Sequence, residues 1–151
     1  FKNNVYVHNL TELFIYGGLA AIFVPILNVM IASIILVAIS IYDYIAVRKT
    51  KHMIKLAKFQ TAMKVFAGLY IPYSKNRRAI LGGGDIGFPL LFTGAVFMQI
   101  GWNALYVTFG VTISLGLLLY YGRKGRYYPA MPYLTAGCFG GYLLWWVISL
   151  L

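Results

Sequence analysis

Acidic residues are almost missing from this chain of 151 residues, where Glu12, Asp43 and Asp85 stand against thirteen lysines and arginines. Charge of either sign is scarce, at 11% of residues. A water-soluble domain carries about a quarter of its residues charged to cover its surface. That shortfall excludes an ordinary soluble enzyme. Polar low-complexity sequence is scarce and no repeat of fixed period is visible, so a disordered chain is excluded too. The single cysteine, Cys138, excludes an internal disulfide. His8 and His52 lie far apart with no cysteine or acid at ligand spacing, so neither a metal site nor a cofactor is expected. What the chain does have is apolar surface: 61% of residues are hydrophobic and the mean hydropathy is +0.77. An integral membrane protein remains. A formal charge of +10 could suggest nucleic acid, but in so apolar a chain it marks cytoplasmic loops instead, and no nucleic-acid partner is expected. The chain opens on Phe1 with no signal peptide ahead of it, as expected of a fragment.

A bilayer core takes roughly 20 apolar residues as a helix. Segments at about 5–24, 27–47, 79–99, 102–121 and 127–151 meet that length. They predict an all-α, polytopic transmembrane helix bundle of five spans in a single domain. The first is the weakest, since His8, Asn9, Thr11 and Glu12 interrupt it, and Pro25 ends it. The run from Ala79 to Tyr121 would reach about 65 Å as one helix, so it must fold back. Gln99 to Asn103 is the best turn, with Trp102 suited to the interface. The basic residues then sort themselves. Lys2, the nine from Arg48 to Arg78, and Arg123, Lys124 and Arg126 all emerge on one side of a five-span zigzag. The positive-inside rule makes that side cytoplasmic, in a cell membrane, and puts the C-terminus outside. Within the long basic loop, Leu56, Phe59, Met63 and Phe66 recur at helical spacing, with Lys51, Lys55 and Lys58 on another face. An amphipathic interfacial helix over residues 50–67 is expected there.

Asp43 and Asp85 are the residues that need a reason. An ionisable group inside a span is costly and is usually paired, turned to the bundle interior, and functional. Asp43 precedes Arg48 by five residues and Asp85 follows Arg78 by seven. At the helical rise, both lie roughly 8–11 Å below one boundary, on antiparallel spans. If the spans touch, the carboxyls meet, and two close carboxyls in a dry site share one proton. The protonated member can polarise a carbonyl while the ionised one takes a proton from water. Intramembrane acids also serve proton or cation channels and transporters, which is the competing class. A polar contact that merely caps backbone is the bland alternative. Asp85 follows Gly82, Gly83 and Gly84, where missing side chains let another backbone approach. Pro129, Ala130, Met131, Pro132, Tyr133 and Leu134 begin the last span at the same depth. Two prolines there free backbone groups, which a membrane tolerates only where protein or water satisfies them.

Tyr42-Asp43, Gly82-x-Gly84-Asp85 and Pro129-Ala130-Met131, in this order on successive spans, resemble the presenilin and signal peptide peptidase family of intramembrane aspartyl proteases. The likeness covers Leu27 to about Leu134, with Met131 where the family has leucine. The five spans look like spans five to nine of the family's nine, which makes the remaining N-terminal spans expected partners. The resemblance implies Asp43 and Asp85 as the catalytic pair, with Tyr42, Gly82 and Gly84 shaping the site. Pro129, Ala130, Met131, Pro132 and Leu134 would border it and hold substrate. Substrates would be transmembrane peptides or proteins in the lipid bilayer. The lack of a long acidic loop points to a prokaryotic, archaeal-like homologue. Type IV prepilin peptidases share Gly-x-Gly-Asp, but they usually carry a lysine soon after it, where this chain has Ile86-Gly87-Phe88-Pro89. Of the smaller features, Asn9-Leu10-Thr11 matches a glycosylation sequon on the expected cytoplasmic side. Gly137-x-x-x-Gly141 predicts a helix-packing face, within the bundle by default or between protomers of a homo-oligomer.

Overall fold

The computed structural model describes residues 5–47, 68–74, 77–121 and 129–150. The expected amphipathic helix at 50–67 and most of the basic residues lie outside the described residues. Among the described residues, apolar sequence forms five α-helices: α1 (Val5–Phe23), α2 (Val29–Ile45), α3 (Gly83–Ile100), α4 (Leu105–Tyr121) and α5 (Ala130–Leu150). Pro25 follows the end of α1, and Asn28 caps α2 by accepting the Met30 N–H at 2.8 Å. The largely apolar stretch of 39 residues from Gly83 to Tyr121 is broken at Gly101, whose φ of +61° only glycine adopts freely. A 3-10 turn, Gly101–Ala104, leads into α4.

Contacts between the helices fix their directions. Tyr106, Gly110 and Ser114 of α4 meet Gly141, Gly137 and Tyr133 of α5, so these two run antiparallel. The carboxyl of Asp43 on α2 interacts with both Asp85 and Met131, at the starts of α3 and α5. Phe92, two turns along α3, lies edge-on to Phe139 and Tyr142, farther along α5. Helices α3 and α5 therefore run the same way, and the chain reverses at Gly101.

Each helix turns one stripe inward. On α2 it is Ala32, Leu36, Ser40 and Asp43; on α3 it is Pro89, Phe92, Ala95 and Val96; on α5 it is Met131, Leu134, Thr135, Cys138 and Gly141. These spacings of three and four are the helical repeat, so one face of each helix builds the core. The outward faces are apolar as well. Ile34, Ile41, Phe109, Leu117, Leu143 and Val147 are all exposed. In water such patches would drive aggregation, whereas in lipid they cost nothing. Gly83–Tyr121 and Ala130–Leu150 are long and apolar enough to cross a membrane, and Val29–Ile45 is a shorter apolar helix. The chain is an α-helical membrane bundle.

One element departs from the expected helices. Residues 79–82, assigned to the third span by their apolar character, are extended: β1 (Gly68–Ser74) and β2 (Arg77–Gly82) form an antiparallel hairpin. Gly68 pairs with Gly82 at its base, and a register shift falls between Pro72 and Ser74. The physical reason is the composition of β1, where Leu69, Tyr70, Ile71 and Tyr73 favour a strand between Gly68 and Ser74 and offer Ala79-Ile80-Leu81 a partner. Helix α3 therefore starts at Gly83, and Asp85 sits in its first turn.

The Gly137-x-x-x-Gly141 face packs within the bundle. A Cβ on Gly137 would stand 2.7 Å from the Gly110 carbonyl, and one on Gly141 would stand 2.6 Å from Val107 Cα and collide with the Tyr106 carbonyl. Backbone cannot yield as a side-chain tip can. We expect Gly141→Ala to lower stability by roughly 1–3 kcal/mol, as overpacking does. Gly18→Ala, where a Cβ meets nothing within 4 Å, should be neutral or slightly stabilising. Unfolding titrations of the two variants in mixed micelles check the difference.

Candidate active site

Asp43 sits near the C-terminal end of α2, on the stripe that faces α5, and is 5% exposed. A carboxyl so buried needs partners. The Met131 N–H donates to Asp43 Oδ2 at 3.2 Å, and the Ala130 amide interacts with the same carboxyl more weakly. These amides belong to the first turn of α5, whose leading N–H groups have no partner within the helix. Asp43 thus caps a helix 88 positions away in sequence. Pro129 and Pro132 flank the two amides, and neither proline has an N–H to offer. Only residues 130 and 131 present donors there, which limits how the carboxyl can sit.

Asp85 occupies an analogous place on α3. Gly82 is the N-cap of that helix, and the Asp85 carboxyl, three residues on, reaches back to the Gly82 amide. This is half of a capping box, with the glycine leaving out the reciprocal side-chain bond. The space is tight: a Cβ on Gly82 would lie 3.1 Å from Asp85 Oδ2. Gly84 differs, being exposed, with only ordinary contact to the Phe88 ring for an added Cβ. The two glycines of the motif differ: Gly82 lies against the Asp85 carboxyl and Gly84 is exposed. Four residues beyond Asp85, Pro89 cannot donate to the Asp85 carbonyl, so the helix is loosened at the aspartate itself.

The two carboxyls interact electrostatically. Each lies at the N-terminal end of a helix, where the backbone dipole favours negative charge. Asp43, Asp85, Gly82, Ala130 and Met131 are thus brought together, and Pro129 and Leu134 are buried beside them on α5. Pro132 is half-buried. Tyr42 is not part of this group: it is 61% exposed and lies on the outer side of α2. Two polar residues missed from sequence lie one turn along the same inward stripes. Ser40 precedes Asp43 by three residues and Thr135 follows Met131 by four, and both are buried. Their helical spacing from Asp43 and Met131 was the available signal. Two interacting carboxyls with amide donors beside them have the chemistry to activate water and protonate a leaving group.

A sequence model of the family described as signal-peptide peptidase, presenilin aspartyl protease matches residues 1–150. No curated protein and no solved structure matches the chain.

Proposed function

Since the chain belongs to the signal-peptide peptidase and presenilin aspartyl protease family, we propose that it hydrolyses peptide bonds of transmembrane helices with Asp43 and Asp85 as its catalytic pair. The observation that supports this reading is the placement of two carboxyls near enough to interact, one seated on the first-turn amides of α5 and the other in the first turn of α3. One shared proton is enough for both steps. The ionised carboxylate takes a proton from water as its oxygen attacks the scissile carbonyl carbon, and the protonated carboxyl gives its proton to the carbonyl oxygen. The tetrahedral diol then collapses: the protonated carboxyl gives its proton to the amide nitrogen, the ionised one takes a proton from a diol hydroxyl, the C–N bond breaks, and an acid and an amine leave. A substrate helix must unwind first, because its scissile carbonyl is already hydrogen-bonded. Gly84 gives an extended segment room to approach, and the buried Pro129–Leu134 start of α5 offers it a wall.

Purified protein in lipid should cut a transmembrane peptide, and a substrate analogue with a hydroxyethylene in place of the scissile amide should block it, since it mimics the diol. A preparation that folds but cuts no such peptide would sink the proposal. Sharing one proton also sets the pH response. Rate should follow a bell-shaped profile governed by two macroscopic constants of the pair. A rate that climbs monotonically from acid to neutral pH would argue for a different mechanism.

Orientation follows from the thirteen basic residues, all on one side of the zigzag. The basic loops face the cytoplasm and the C-terminus lies outside. A peptide runs through a site in one direction, so substrates should have a cytoplasmic C-terminus and be cut in the cytoplasmic third of the bilayer. Labelling of a single cysteine placed at Lys58 checks this. Protection from an impermeant reagent added outside is the expected result, and modification from outside would reverse the topology.

A further inference from the structure

Helix α1 carries His8, Glu12 and Tyr16 at four-residue spacing, and none of the three is turned fully outward: Tyr16 is buried and His8 and Glu12 are half-buried. Polar groups in a membrane bundle are costly and need a use. Glu12 and Tyr16 interact with each other on α1, whereas His8 reaches off the helix. Its Nε2 lies 3.1 Å from the carbonyl oxygen of Gly68, 60 residues away. A carbonyl only accepts, so Nε2 carries the proton and donates. Gly68 is buried at the base of the hairpin and pairs across it with Gly82. Gly82 is the N-cap whose amide holds Asp85. Three contacts thus join a histidine on the first helix to a carboxyl of the proposed pair. Among the described residues the hairpin leans on α1 and α3, and a two-stranded hairpin is at best marginally stable alone. A fixed point at its base is what would keep Gly82, and with it Asp85, in place.

We infer that His8 is a positioning residue for Asp85, acting through Gly68 and Gly82 rather than touching substrate; this rests on the catalytic reading of Asp85 given above. The side-chain chemistry gives a clean test in the full chain reconstituted in lipid. His8→Phe keeps the ring and removes the donor, while His8→Gln places an N–H donor near the position of Nε2. Small displacements of a reacting group cost rate, so His8→Phe should lower kcat about tenfold with KM little changed, and His8→Gln should restore most of it. Amide hydrogen exchange at Leu81 and Gly82 should speed up in His8→Phe and stay at the wild-type rate in His8→Gln. A His8→Phe enzyme with wild-type kcat, or one whose loss falls on KM instead, overturns the inference. So does a His8→Gln enzyme as slow as His8→Phe. If the wild-type chain cuts no peptide, the proposed function has failed, and exchange still decides the tether: equal rates in wild type and His8→Phe overturn it.

Discussion

Asp43→Asn and Asp85→Asn should each lower cleavage of a transmembrane peptide by roughly a thousandfold or more, because each removes the only group that can pass the shared proton at its position. Asparagine keeps the size of the side chain and one oxygen. In Asp43→Asn that oxygen can still accept the Met131 N–H, and in Asp85→Asn it can still accept the Gly82 amide, so both variants should fold. Thermal unfolding monitored beside activity separates lost chemistry from lost structure. The double variant should be no slower than either single one, since groups acting as a unit lose their effect once. Wild-type cleavage by Asp43→Asn or Asp85→Asn would end the reading of a catalytic pair. An ion flux that depends on both acids, from a chain that cuts nothing, would favour the channel or transporter instead.

The membrane bundle was legible because lipid demands a long apolar stretch for each helix and punishes charge within it. The acids were legible for the same reason: in so apolar a chain, two aspartates stand out. Family membership was legible from three short motifs whose order along the chain said more than any one of them. The hairpin was not. Ala79-Ile80-Leu81 is apolar and too short to show a period, so it reads equally as the start of a span or as a strand. What decides it is β1, a partner hidden in a stretch whose lysines and arginines drew the reading toward a loop. Residues 78–82 are extended, so a helical rise counted from Arg78 does not measure the depth of Asp85, which lies in the first turn of α3. The partners of the two carboxyls were illegible for a deeper reason. They are backbone amides, one of them 88 residues away, and no side-chain pattern announces a backbone donor. The prolines at 129 and 132 showed only that this helix start was unusual, and suggested a wall for substrate rather than a seat for Asp43.

That seat leads to the second large effect expected. Replacing Met131 with its α-hydroxy acid analogue turns the 130–131 amide into an ester, which keeps the buried side chain and deletes the one N–H that donates to Asp43 Oδ2 at 3.2 Å. A hydrogen bond to a charged acceptor contributes about 1.5–3 kcal/mol, and the ester oxygen would face the carboxyl with lone pairs. If that bond holds Asp43 in its reacting position, kcat should fall on the order of a hundredfold, with KM changing far less. Met131→Leu is the control: it alters the side chain, which is 2% exposed in the core, and leaves the amide in place. A volume-conserving apolar swap costs little, so Met131→Leu should stay within a few-fold of wild type. The opposite order, an active ester and an inactive leucine variant, would mean that the side chain matters to substrate and the amide does not. Equal activity in all three would mean that α2 and the Ala130 amide position Asp43 without the Met131 N–H. The expected ranking is wild type close to Met131→Leu and both far above the ester, because Asp43 reaches across the bundle to the first turn of α5 and no side chain there can take the place of the missing N–H.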